Sequence, residues 1–119
     1  MKVLIVEPMK EPYTIEIENS LESLQEAVDG YIETVSPFED NACIICNEEG
    51  KATGLLPNRS LKDKNGRIYD ILVGTFLIAG TGKDSFCSLT DEQVETYKSL
   101  FQEPEILPFV EAKIISLFL

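Results

Sequence analysis

The chain has no histidine, only 10 basic residues against 21 acidic ones, and no apolar run long enough to cross a membrane. Each shortage excludes a set of functions. Without histidine there is no Ser–His or Cys–His nucleophile pair, and the commonest general base is missing. The shortage of bases leaves a net charge of −11. That charge favours solubility and disfavours nonspecific contact with nucleic acid or an anionic membrane. A spanning helix needs roughly 18 or more apolar residues. The runs at Val3 to Val6 and Ile114 to Leu119 fall far short of that. The first is also too short for a signal peptide, and Glu7 follows it directly. Three cysteines without a secretory signal point to a reducing compartment, by default the cytoplasm.

What is present fits one compact domain. A chain of 119 residues, 44% apolar and 26% charged, has an ordinary globular composition. The charge is unevenly spread. Residues 1–49 hold 12 acids and 2 bases, whereas residues 50–89 hold 3 acids and 6 bases. Those six are Lys51, Arg59, Lys62, Lys64, Arg67 and Lys83. They are either solvated turn residues or a local basic site on an acidic body.

Val3 to Val6 reads as a buried strand. Tyr13, Ile15 and Ile17 alternate with polar residues, so a second strand follows across a turn at residues 7–12. Asn19 with Glu22 has capping-box spacing, Leu21, Leu24 and Val28 recur helically, and Gly30 suits the stop. Residues 31–35 resume strand chemistry, and Ala42 to Cys46 suits a central strand covered on both faces. Pro57 cannot donate to a ladder, so residues 55–59 read as irregular. Asn65 and Gly66 mark a hairpin turn. Residues 68–79 read as one long strand, bulged or closely approached at Gly74. Thr90 and Gln93 form a second capping box, with Val94, Tyr97, Leu100 and Phe101 as the apolar stripe. The expected fold is α+β: a mostly antiparallel sheet with two short helices packed on one face. Residues 1–119 form a single domain, with 103–119 a C-terminal extension whose pattern suits a helix or an edge strand.

The tempting motifs are weak. Cys43 and Cys46 have CxxC spacing, but zinc needs four ligands and only Cys87 remains. Strand periodicity would also aim the two thiols at opposite faces. Gly80, Gly82 and Lys83 suggest a phosphate loop, but Leu77 stands where its first glycine belongs and Asp84 replaces the hydroxyl. Asp63, Asp70 and Asp84 would hold magnesium only if the fold gathered them. The sequence therefore implies no cofactor and no metal, and leans against an enzyme.

Two local features suggest binding. A proline-stiffened loop at Pro57, Asn58 and Arg59 is suited to carboxylate or phosphate recognition. Its alternative is structural, with Asn58 as a cap and Arg59 paired to an acid. Glu16, Glu18, Glu22, Glu26, Asp29 and Glu33 could form a negative stripe resembling spaced phosphates, or simply a solvated face.

Several segments also resemble, in order, an uncharacterised family of small proteins known as a domain of unknown function. They include residues 2–8 (Lys2 to Pro8), 16–25, 30–33, 45–51, 56–59 (Leu56 to Arg59), 69–76 (Tyr69 to Phe76) and 88–93. The resemblance covers roughly residues 2–101. It implies a bacterial, phage or conjugative-element setting and an accessory role, and transfers no activity. The leading expectation is a non-enzymatic module that binds another protein through Asn47, Glu48, Pro57, Asn58 and Arg59, with no membrane or direct nucleic-acid contact. The alternatives are an acidic DNA mimic that inhibits a nucleic-acid enzyme, and a small-anion binder using Asn58 and Arg59.

Overall fold

A computed structural model describes residues 1–107. The last part of the C-terminal extension, residues 108–119, lies outside the described residues. The order is β1 (Lys2–Val6), β2 (Tyr13–Glu16), α1 (Leu21–Val28), β3 (Ile32–Val35), β4 (Ala42–Asn47), β5 (Pro57–Lys62), β6 (Ile68–Val73), β7 (Phe76–Thr81), β8 (Phe86–Cys87) and α2 (Asp91–Leu100). The main sheet runs β2-β1-β7-β4-β3, with β8 beside the end of β7, and every pairing is antiparallel. β5 and β6 form a separate two-stranded ribbon. The class is α+β, as expected.

The central strands β1, β4 and β7 are apolar along their length because both sheet faces are covered. Leu4, Val6, Ile44 and Ile78 face a cluster with Tyr97 of α2, Phe101 at its C-cap, and Leu61 and Leu72 of the ribbon. Val3, Ile5, Ile45 and Leu77 face Leu24 and Val28 of α1. The two helices thus lie on opposite faces, not on the same one. The period of two divides each strand's apolar residues between them. Cys43 faces the α1 cluster and Cys46 the α2 cluster; both are free and buried, and Cys87 is exposed.

The helix ends follow local chemistry. Ser20, rather than Asn19, caps α1 by accepting from the Ser23 amide. Asn19 instead donates to the Phe86 carbonyl at 2.8 Å. At the other end Asp29 takes a left-handed φ of 58°, and the Gly30 amide reaches back to the Gln25 carbonyl. Thr90 and Gln93 cap α2 reciprocally, at 2.9 and 3.1 Å.

The expected long strand at residues 68–79 is two strands in two sheets. Gly74, with φ +69°, turns the chain from the ribbon into the main sheet. A Cβ there would sit 2.7 Å from Leu55 Cδ1, so the close approach read from the sequence is real. Residues 55–59 read as irregular from the sequence, but β5 begins at Pro57 and takes in Asn58 and Arg59. Pro57 is tolerated because it is the first residue of the strand.

Candidate functional site

The sequence-based site residues are spread over three environments. Asn47, at the end of β4, is half-buried. Its amide nitrogen donates to the Val28 and Asp29 carbonyls at 3.1 and 3.0 Å, closing the C-terminus of α1. Its side-chain oxygen accepts from the Glu49 amide at 2.8 Å. Glu48 is exposed in the following turn, and Pro57 opens β5 half-buried.

Asn58 and Arg59 are fully buried between the ribbon and the main sheet. Asn58 donates to the Val6 and Gly74 carbonyls at 2.9 and 2.8 Å. Arg59 donates through Nε to Phe101 O at 3.0 Å and through its terminal nitrogens to Asn58 Oδ1 at 2.8 Å and Lys10 O at 2.6 Å. Burial pushes the guanidinium pKa down, and the nearby charge of Glu105 opposes that. The pair ties β5 to the β1–β2 turn, the β6–β7 turn and the end of α2. Its hydrogen-bonding capacity is therefore turned inward, and it offers no contact loop to a partner. The alternative reading is corrected too: Arg59 is held mainly by main-chain carbonyls rather than by a salt bridge.

A narrow cleft lies between the β3–β4 edge and β6, lined by Glu33, Val35, Cys46 and Asp70. Lys51 and Asp70 pair across it at 2.5 Å. Burial, then the charges of Glu33 and Asp70, push the Cys46 thiol up to about 11, so it stays protonated at neutral pH. Asp63 and Asp70 serve other ends. Asp63 accepts from the Asn65 and Arg67 amides at 2.9 Å each, fixing the hairpin turn. Among the described residues no three His, Cys, Asp or Glu side chains gather as a metal site.

The surface most suited to binding is the β5–β6 hairpin. Its turn is closed by main-chain bonds of 2.9 Å from Asp63 N to Arg67 O and 3.0 Å from Gly66 N to Asp63 O, with Gly66 at φ +77°. It displays Lys62, Lys64, Arg67, Ile68 and Tyr69, all exposed. Lys2, Lys10 and Lys51 each pair with an acid. Lys62, Lys64 and Arg67 form no ion pair among the described residues. At the base of the hairpin a groove of about 250 Å³ is walled by Phe38, Leu61, Tyr69, Leu100 and Phe101. Glu105 crosses it and accepts from the Ser60 amide at 3.0 Å and from the Ser60 hydroxyl at 2.5 Å. Sequence reading missed Glu105 because nothing local links it to a serine 45 residues earlier.

The acids of the expected stripe are all exposed. Glu22, Glu26 and Asp29 lie on α1 and its C-cap, with Glu18 just before it, but Glu16 and Glu33 alternate with Ile15, Ile17 and Ile32, which pack under α1, and so point to the other face of the sheet.

Fold and surface together define a small α+β domain with a charge-polarised hairpin. Over residues 1–102 the chain matches the family described as a domain of unknown function (DUF3846), and it belongs to that family. No curated protein and no solved structure matches it. No helix among the described residues is long and apolar enough to cross a membrane.

Proposed function

We propose that this domain is a non-enzymatic protein-binding module, acting as an accessory factor in a bacterial or mobile-element setting and docking through its β5–β6 hairpin. One observation carries the reading: three bases with no ion pair among the described residues and two large exposed apolar side chains share one hairpin of a chain whose net charge is −11. Such a surface attracts an acidic partner segment by charge complementarity, while the acidic body repels anions elsewhere. Tyr69 and Ile68 supply the apolar contact that gives such interfaces their affinity.

The test is affinity capture with the full chain from a native host, followed by direct binding of the recovered protein. Charge reversal at Lys62, Lys64 and Arg67 is expected to abolish binding without unfolding the domain, since all three are exposed. Binding that survives the triple reversal refutes the reading, as does a hairpin that retains duplex DNA but no protein.

A second reading, a DNA mimic, draws on the exposed acids Glu18, Glu22, Glu26 and Asp29 on and beside α1. Neutralising Glu18, Glu22 and Glu26 would then abolish inhibition of a restriction system in cells. Unchanged restriction in cells expressing the wild type removes this reading.

A further inference from the structure

We propose that the groove at the base of the hairpin is a docking site for an acidic, partly apolar peptide segment of a partner protein, and that residues 102–107 of this chain occupy it in cis as a competitor. The inference rests on the protein-binding reading above and names the chemistry of the partner.

Three observations point to it. First, the seat is built for a carboxylate. Ser60 offers its amide and its hydroxyl to the two Glu105 oxygens, at 3.0 and 2.5 Å. Two donors on the two oxygens of one carboxylate fix its orientation as well as its charge. The buried Arg59 guanidinium lies close enough to feel that charge, and exposed Lys62 lies at the rim.

Second, the chain's own segment fits only partly. Its carboxylate is seated, but the neighbouring Ile106 is 92% exposed. Tyr69 and Leu100, which wall the groove, also remain largely exposed. Among the described residues the polar half of the site is satisfied and the apolar half is not. A partner segment with the same carboxylate and a better-placed apolar neighbour would bury more and displace it.

Third, the groove walls and Ser60 lie within residues 1–102, which match the family, whereas Glu105 lies beyond the matched residues. The occupant is thus an appendage to the domain that forms the seat. A tethered ligand lowers apparent affinity for a free one in proportion to its effective concentration, so loosening it should raise affinity in trans.

The test uses the full chain and one probe, a synthetic peptide with the sequence of residues 102–107, followed by calorimetry or fluorescence anisotropy. Glu105→Ala is expected to bind the peptide about tenfold more tightly than wild type, a shift that corresponds to about 1.4 kcal/mol. Glu105→Gln, which keeps the shape and removes the charge, should bind more tightly than wild type too. A peptide with glutamine at the position matching Glu105 should not bind. Equal affinity of wild type and both variants overturns the proposal, as does no binding by variants whose circular dichroism is native. A stable wild-type dimer whose segments exchange grooves overturns it as well, because the occupant is then a second copy. The protein-binding reading fails separately, when hairpin charge reversal leaves partner binding intact.

Discussion

At the scale of single residues, Arg59 shows how a side chain suited to recognition can serve architecture. Its charge sits in the interior, held by carbonyls 42 and 49 residues away in sequence. Removing Arg59 takes its charge away with it and leaves buried oxygens without donors, at roughly 1–3 kcal/mol for an unsatisfied acceptor. Arg59→Met is therefore expected to lower unfolding free energy by about 1–3 kcal/mol or more in urea titration. Arg59→Lys should restore little, because one ammonium cannot reproduce the planar set of donors. Loss of partner binding in an Arg59→Glu chain would report unfolding, not a contact. A second residue-scale case is Asp40. The Tyr97 hydroxyl donates to it at 2.7 Å, and Asn41 and Gln93 add bonds, which together hold its carboxyl below the usual range. A carboxyl depressed in the folded state stabilises above its unfolded pKa and loses that contribution as pH falls through the lower folded value. Tyr97→Phe should therefore raise the Asp40 pKa in an NMR titration. It should also lessen the loss of stability on acidification below about pH 4.

At the scale of elements, legibility followed the range of the interactions. The β1–β2 hairpin, the covered strand β4 and the capping box of α2 rest on contacts between near neighbours, and the pattern of residues shows them. β5 was hidden because Asn58, Arg59 and Ser60 replace the apolar alternation that marks a strand. Their burial is satisfied by groups from the β1–β2 turn, the β6–β7 turn and the chain after α2. A usable signal existed: the Asn65–Gly66 turn demands a strand running back from Asp63, which reaches residues 57–62. The division of residues 68–79 between two sheets, and of the helices between two faces, depends on β7 inserting between β1 and β4. No local pattern encodes that pairing. The candidate site was partly legible, since the basic cluster is visible in the composition, but its seat at Ser60 and Glu105 is purely tertiary. Two element-scale outcomes follow. Gly74→Ala, strained at φ +69° and crowding Leu55, should destabilise by about 1–3 kcal/mol in denaturant titration. Thr90→Ala, which breaks the capping box of α2, should cost about 1 kcal/mol by the same measurement.

At the scale of the whole molecule, the described residues form an acidic body that carries a basic hairpin. Long-range attraction to an acidic partner should then fade with salt, because charges beyond about 8–10 Å are screened at physiological ionic strength. Partner association rates for wild type are expected to fall as salt rises from low to moderate concentration. Rates for the triple charge reversal at Lys62, Lys64 and Arg67 should not fall. The most direct measurement is an amide NMR titration of the labelled Glu105→Ala chain with the peptide of residues 102–107. Shifts should concentrate on Ser60, Leu61, Lys62, Tyr69 and Leu100 and extend to Lys64 and Arg67 at the hairpin tip. Shifts centred on α1 or on residues 47–50, or none at saturating peptide, would contradict a binding surface at the hairpin and its groove.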